Sequence, residues 1–265
     1  VTGVQTCALP IWPVNLVPYA VGRATYWEET PDGGSRCRRY GQAGLKTNLH
    51  LQRVFDDVDS RFWDVHRLRH VITPEAMAWL AESPGAQPED VFPADPGIEE
   101  HLDGHSGWTV GLHQRLQTQR GPAGDRHNVD WMRLNVTAGF FDHQRKRLPA
   151  DGRAFFYRPE YSLDRDFLNA EYFWHISDST TILADTNYDW DSGTFRRANG
   201  GVAVQRSPRF NYYVGVRWIR DLDSTAATFG GRYRINRKYS VAVFEQYDFD
   251  FRSATTKPPM RACCS

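Results

Sequence analysis

The stretch HSGWTVGLHQRLQTQRG, residues 105–121, alternates large apolar side chains with small or polar ones. The apolar set is Trp108, Val110, Leu112 and Leu116. Successive side chains of an extended chain point to opposite sides, so the alternation predicts a strand with one apolar and one polar face. The apolar face is buried in a soluble sandwich, whereas in a transmembrane barrel it meets lipid and the polar face lines a lumen. One strand does not distinguish between these folds.

The composition of the 265-residue chain narrows the classes of fold and partner. Aromatic residues make up 14% of the sequence and favour strands. The formal net charge is zero, whereas a nucleic-acid-binding protein normally has a basic excess, so we expect no nucleic-acid partner. No uninterrupted apolar run reaches the roughly 18–20 residues of a membrane-spanning helix. A β-barrel is not excluded by that test, since each of its strands carries only a weak hydropathy signal.

Alternation of the same kind recurs along the chain and predicts about eleven strands. The segments are 14–27, 43–55, 65–80, 107–120, 128–141, 166–176, 180–190, 194–205, 209–220, 225–235 and 238–250. Most are roughly 11–14 residues long, against about 5–6 residues for a typical globular strand and about 9–11 for a strand tilted across a bilayer. Their length therefore favours membrane strands over a sandwich.

The connections between the segments point to the same class of fold. Short runs of turn-forming residues join the last six segments and predict an up-and-down meander. Earlier in the chain, short and long connections alternate, so every long one falls on the same side of the sheet, as in outer-membrane barrels. We therefore expect an all-β fold, an antiparallel up-and-down transmembrane β-barrel that is incomplete, with about eleven strands of a larger barrel.

The polar faces of the segments are too charged for a packed core, where unpaired charges are costly. A water-filled lumen accommodates them. The residues expected to face this lumen are Lys46, His50, His113, Arg115, Arg133 and Asn135. Basic side chains form strong hydrogen bonds with oxyanions, so these residues either contact an anionic saccharide or phosphate or are ordinary hydrated wall residues. Near segment ends, where interfacial aromatic girdles occur, the apolar faces are expected to carry Trp27, Trp108, Trp174 and Trp190.

Both ends of the chain are set aside from the fold. VTGVQTCALPI (1–11) resembles translated sequencing-adapter read-through, so residues 1–12 are interpreted as foreign and 13–251 as the barrel segment. Residues 252–265 are expected to be a tail, because they do not resemble a terminal membrane strand. The four cysteines provide no disulfide framework and no metal site.

The blocks RLRHVITPEAMAWL (67–80) and GIEEHLDGHSGWTVGLHQRLQTQRG (97–121) resemble the C-terminal barrel of a known family. It is the lipopolysaccharide-assembly outer-membrane protein family, LptD, also called OstA. The matching motif positions are Leu68, Arg69, His70 and Pro74 in the first block, and Arg115, Leu116, Gln117 and Thr118 in the second. Residues 15–27 and 238–250 also resemble family strands, so the similarity covers most of 13–251.

This resemblance implies a component of the bacterial outer membrane that catalyses no reaction and needs no cofactor. Such a protein receives lipopolysaccharide from a periplasmic Lpt bridge and releases it into the outer leaflet, and the lipoprotein LptE plugs its barrel. The sequence departs from the family in having no periplasmic jelly-roll domain. It also has no match to the cysteines that form disulfides in some members.

Other interpretations of the sequence stay open. A porin or receptor barrel has the same kind of wall. A soluble β-rich carbohydrate-binding or hydrolase domain would use a pair of carboxylates on neighbouring strands, for which Glu171 and Asp185 are candidates. HLDGH (101–105) contains metal-ligating residue types, but a solvated loop explains it equally well. His66 and His70 are expected to share one strand face by period two.

Overall fold

A computed structural model describes residues 3–6, 9–11, 14–85, 90, 106–142, 165–220 and 223–250, with only the backbone described before residue 14. This part of the chain is all-β. Within it, no helix has the length and apolar character needed to cross a membrane. The predicted segment 252–265 and the HLDGH sequence lie outside the described residues.

The described residues form fourteen strands, most of them long. They are β1 (Gly3–Thr6), β2 (Leu9–Ile11), β3 (Val14–Trp27), β4 (Arg36–Leu49), β5 (Leu51–Ser60), β6 (Val65–Glu82), β7 (Gly107–Arg120), β8 (His127–Phe141), β9 (Phe167–Ser177), β10 (Thr180–Asp189), β11 (Thr194–Ser207), β12 (Phe210–Ile219), β13 (Ser224–Arg234) and β14 (Ser240–Asp248).

All strands belong to one antiparallel up-and-down sheet, twelve strands wide. β2 continues β1 along β3, and β5 continues β4 along β6 in the same register. The ladder between β4–β5 and β6 is interrupted next to Pro74, which has no amide hydrogen to donate. Among the described residues no ladder joins β14 to β1, so the sheet is open.

All eleven predicted segments are strands of this sheet, and 43–55 is the central part of the longer β4–β5 strand. The longest connections, 83–106 and 142–166, lie on the same side because the strands alternate in direction, which confirms that prediction. The twelfth strand was not expected. It is formed by residues of 1–12, which pair with β3. An open sheet edge offers unpaired backbone groups to any adjacent extended chain, so the pairing neither supports nor contradicts a foreign origin of residues 1–12.

One face assignment is wrong. The ladder between β6 and β7 shifts by one residue at Arg67, which has a positive φ of 57°. His66 consequently lies opposite Gln119, on the face that also carries Arg69, while His70 points to the other face. A bulge inserts one residue and reverses the alternation beyond it, which period-two reasoning does not anticipate.

The two faces of the sheet differ in chemistry through its central strands, from β7 to β11. The polar face is the one that carries the direct cross-strand partners His113, Asn135, Glu171, Asp185 and Asn199. The apolar face is the one that carries the partners Leu116, Met132, Trp174, Ile182 and Val202. From Val17 to Trp27 in β3, the polar-face residues are half-buried and the apolar-face residues are mostly exposed. This is the reverse of a soluble sheet, which buries its apolar face.

Aromatic rings on the polar face fill the space above glycines of neighbouring strands. A Cβ at Gly44 would lie 2.6 Å from the ring of Tyr19, its direct partner on β3. A Cβ at Gly139 would similarly meet the ring of Phe167. Rings that cover glycines restore side-chain packing where the glycine itself supplies none.

Gly44→Val should lower the free energy of unfolding by about 1–3 kcal/mol, because the new side chain must displace the Tyr19 ring. Gly41→Val, on the same strand, should have little effect, since a Cβ there meets nothing within 4 Å. Equilibrium denaturation of both variants checks this difference. Equal destabilisation would mean that the Tyr19–Gly44 contact does not contribute.

Candidate functional site

The residues predicted to face a lumen all lie on the polar face. His113 pairs directly with Thr73 and with Asn135, and the His50 ring contacts the Thr73 hydroxyl at 3.1 Å. Arg115 and Arg133 are direct partners one step further along the same strands. Lys46 lies on the same face, where its side chain pairs with Glu75 of β6. The six residues therefore share one face, as the alternation predicted, and the lumen itself stays a prediction. Which of these groups touch each other follows only from the register.

A continuous row of polar contacts crosses the strands from β4 to β9. Lys46 Nζ lies 3.8 Å from Glu75 Oε2, and Glu75 Oε1 lies 3.0 Å from His113 Nε2. On the other side of the imidazole, Nδ1 lies 3.1 Å from Asn135 Oδ1. Asn135 Nδ2 in turn donates to Glu171 Oε2 at 3.5 Å. These half-exposed groups are satisfied by one another while still accessible to solvent.

The row continues beyond Glu171 to its direct partner on β10, Asp185. Asp185 Oδ2 lies 2.7 Å from Nη2 of Arg197, a side chain only 2% exposed. Asn199 Nδ2 donates to both carboxylate oxygens of Asp185, at 2.9 and 3.1 Å. Glu171 and Asp185 thus lie opposite each other, as a hydrolase pair would require, but the Asp185 oxygens are already held by neighbours. The arrangement fits a structural ion-pair network better than a pair of catalytic carboxylates.

Arg115 and Arg133 form the least neutralised positive group of the predicted set. Arg115 Nη1 is 3.8 Å from Asp130 Oδ2, a long ion-pair distance. The guanidinium of Arg133 lies 4.2 Å from the ring centroid of Phe173, a cation–π geometry. Within the described ranges no carboxylate lies within ion-pair distance of Arg133. Two neighbouring guanidinium groups with one distant counter-charge are suited to an oxyanion.

The two sequence blocks that carry the resemblance, within 67–80 and 97–121, contribute residues to the adjacent strands β6 and β7. Their direct partner pairs are Leu68 with Thr118, Arg69 with Gln117, His70 with Leu116, and Pro74 with Leu112. Arg69 Nη1 donates to Gln117 Oε1 at 3.2 Å, and its Nε donates to Gln52 Oε1 at 3.0 Å. The Thr118 hydroxyl bonds both backbone groups of His66, at 3.1 Å. These contacts fix the register of β6 against β7, so the motif residues have a structural role in this sheet.

The apolar face carries a band without charges from β7 to β13, with exposed residues on β7 and β11–β13 and half-buried ones on β8–β10. The band consists of the apolar-face residues within 108–116, 132–140, 168–174, 182–188, 198–204, 210–218 and 225–233. Large exposed members include Trp108, Val110, Val214 and Phe229. On the edge strand β14, Glu245 interrupts the pattern, since it pairs with Phe229. A connected apolar surface of this extent marks a contact with lipid or protein.

Aromatic side chains border this band near the strand ends. Trp108 stacks on Phe140 at 4.2 Å on the side of the long connections. Phe210 lies 5.7 Å from Tyr212 and 6.4 Å from Tyr233 near the other end. Trp174 also lies on the apolar face, whereas Trp190 lies in the turn after β10. The prediction for Trp27 is wrong, because it pairs with Arg36 on the polar face.

Two buried charged clusters were missed by sequence reasoning. Asp189, at the end of β10, is 2% exposed and lies 2.9 Å from the guanidinium groups of both Arg165 and Arg196. Arg120, at the end of β7, bonds the carbonyls of His175 and Ile176 and pairs with Asp178 at 3.3 Å. The only signal in the sequence was a charged residue at the end of each strand. Solvated turns commonly carry such residues too, so the signal did not indicate burial.

Neither metal-binding groups nor comparisons with known proteins assign a function to the described residues. In the part of the chain that the structure describes, no three His, Cys, Asp or Glu side chains are grouped as a metal site. The hydroxyl of Ser106, which precedes β7, accepts a hydrogen bond from the Ala81 backbone amide at 3.2 Å and so links β6 to the start of β7. Comparison of the sequence with protein-family models and with curated proteins gives no match.

Proposed function

We propose that this chain forms part of the wall of an outer-membrane β-barrel, with its apolar face toward acyl chains and its polar face toward a hydrated lumen. The observation that carries the proposal is the inverted exposure of the sheet. Trp108 and Val214 are 48% and 50% exposed on the apolar face, while the ionic residues Arg197 and Asp189 are buried. Such a surface is unfavourable in water and favourable in hydrocarbon.

The height of the apolar band supports the same proposal. On β7 and β8 it runs from Trp108 to Leu116 and from Met132 to Phe140. Each run is close to the roughly 9–11 residues that a tilted strand needs to cross a bilayer. Aromatic side chains at the borders and long connections on one side are also features of outer-membrane barrels.

Within that class, we propose that the chain belongs to the LptD family and guides lipopolysaccharide to the outer leaflet without a chemical step. The support is the motif resemblance, together with two guanidinium groups on the lumenal side. Lipopolysaccharide carries phosphate and carboxylate groups, which charge-assisted hydrogen bonds from arginine recognise well. The plug lipoprotein LptE and the periplasmic Lpt bridge are then the proposed partners, and the outer membrane the proposed location.

Heat-modifiable migration of the complete gene product in detergent gels tests the barrel. A folded barrel should migrate faster unheated than after boiling, because its closed sheet resists detergent unfolding. Identical migration before and after boiling would favour a soluble β-rich carbohydrate-binding domain.

Arg115→Glu combined with Arg133→Glu in the full-length protein should reduce export about tenfold or more. Each lost charged hydrogen bond is worth about 1.5–3 kcal/mol, and about 1.4 kcal/mol is a factor of ten in rate. The measurement is the amount of lipopolysaccharide at the cell surface. Arg36→Glu, an exposed arginine on the polar face but outside this pair, is the matched control. Normal export with both reversals would leave a porin or receptor barrel as the better interpretation.

A further inference from the structure

A second candidate binding site lies on the polar face, on the strands that follow those of Arg115 and Arg133. It is a cavity of about 650 Å³ bounded by strands from β9 to β14, near the short turns 178–179 and 208–209. Its polar lining includes His175, Gln205, Asn211, Tyr213 and Arg232, together with Asp178, Ser179 and Thr181 at the β9–β10 turn. The Asp178 carboxylate is paired with Arg120 at 3.3 Å, so its charge is already compensated. A concave site with a few convergent polar groups is the usual form of a small-ligand site.

The Tyr213 side chain is part of the cavity lining. A Cβ added at Gly201 or at Gly215 would collide with the hydroxyl end of that ring. Gly215 is two residues beyond Tyr213 on β12, so the two Cα atoms are about 6.8 Å apart. The ring therefore lies along the sheet above the glycine pair. Because Tyr213 also lines the cavity, the side of the ring turned away from the glycines is available to a ligand.

One wall of the cavity is a row of unused hydrogen-bonding groups. Gln205 pairs directly with Asn211, and Asn211 pairs directly with Arg232. Gln205 and Asn211 are exposed, and within the described residues neither side-chain amide is hydrogen-bonded to another protein group. Arg232 makes only a 3.5 Å bond to the Ser240 hydroxyl there. Opposite them, the His175 ring is fixed by Thr181 at 2.9 Å.

We propose that this cavity binds a sugar residue that bears an anionic group. The sugar ring stacks on Tyr213, its hydroxyls bond to the amides of Gln205 and Asn211, and its phosphate or carboxylate pairs with Arg232. Amides supply both donors and acceptors, as vicinal hydroxyls require, and guanidinium groups match oxyanions in geometry. The choice of a glycan ligand rests on the proposed function, whereas the geometry of the cavity does not.

The test uses the full 265-residue chain refolded in detergent micelles, with calorimetry to measure the dissociation constant. The probe is the soluble oligosaccharide released from lipopolysaccharide by complete deacylation. A dephosphorylated preparation and a neutral malto-oligosaccharide are the comparison ligands. The phosphorylated probe should bind, and the dephosphorylated one should bind about tenfold more weakly, a difference of about 1.4 kcal/mol.

Variants then locate the site. Tyr213→Leu should weaken binding about tenfold and Tyr213→Phe should preserve it, because stacking needs the ring and not its hydroxyl. Arg232→Gln should remove the preference for the phosphorylated probe, whereas Arg39→Gln should leave both affinities unchanged. Far-ultraviolet circular dichroism checks that each variant folds, and Asn211→Ala replaces any that does not.

The outcomes separate this proposal from the barrel. Heat-modifiable migration without binding of the probe, or with Tyr213→Leu binding as well as the parent, overturns the saccharide site alone. Binding that depends on Tyr213, together with a complete gene product that shows no heat-modifiable migration, retains the site and overturns the barrel. Equal affinity for both oligosaccharide preparations overturns the assigned role of Arg232.

Discussion

Val214→Lys should lower the free energy of unfolding in a phospholipid bilayer by about 2–4 kcal/mol. Val214 lies in the charge-free band, between its direct partners Val202 on β11 and Phe229 on β13. If this face meets acyl chains, the lysine must leave water for hydrocarbon or distort the bilayer. Denaturant unfolding in phospholipid vesicles, followed by tryptophan fluorescence, measures the change.

Thr228→Lys is the matched control, because Thr228 lies on β13 next to Phe229 but on the opposite, polar face. There the added charge remains hydrated, so we expect a change within about 0.5 kcal/mol. The comparison also separates the two main interpretations. In a soluble protein Val214 is a half-exposed surface residue, and a lysine there should be as harmless as at Thr228. Equal effects would therefore remove the basis for a lipid-facing surface.

Asp189→Asn should cost about 3–5 kcal/mol of stability, because it removes one partner of a buried ion-pair cluster. The Asp189 Oδ2 atom lies 2.9 Å from Arg165 Nη1 and from Arg196 Nη2. Its Oδ1 atom accepts from the backbone amides of Asp191 and Ser192 at 2.9 and 3.1 Å. The asparagine keeps the shape of the side chain but leaves two sheltered guanidinium groups without their shared counter-charge.

The free energy of unfolding from denaturant titration measures this loss. Asp191→Asn, an exposed neighbour in the same turn, is the control and should change little. A loss below about 1 kcal/mol for Asp189→Asn would show that water reaches the cluster, as for a surface ion pair.

Strand positions were predictable because period-two alternation persists through long segments. Segment 107–120 and strand β7 coincide, and β3 coincides with 14–27. The predictions fail where one residue breaks the period. The bulge at Arg67 separates His66 from His70. The assignment of Trp27 is wrong for another reason: β3 has no register shift, but its polar face itself carries apolar side chains such as Val17 and Val21, so the two faces look alike in the sequence.

The candidate site was predictable as a face but not as a set of contacts. Lys46, His113 and Asn135 were placed together from local alternation alone, since each strand reveals its own polar side. Their linkage through Glu75 depends on how four strands align, and cross-strand register is set by turns, bulges and Pro74 acting together. The cavity above Tyr213 was not anticipated, because its lining residues come from six strands.

The sequence by itself determined that the chain is a meander of long two-faced strands, because side-chain alternation is a local property of an extended backbone. The tertiary structure alone decided which charges neutralise each other, that Asp189 and Arg120 are buried, and that a tyrosine ring covers a glycine pair. Those features depend on distances between residues that are remote in the chain, and only the alignment of neighbouring strands fixes such distances.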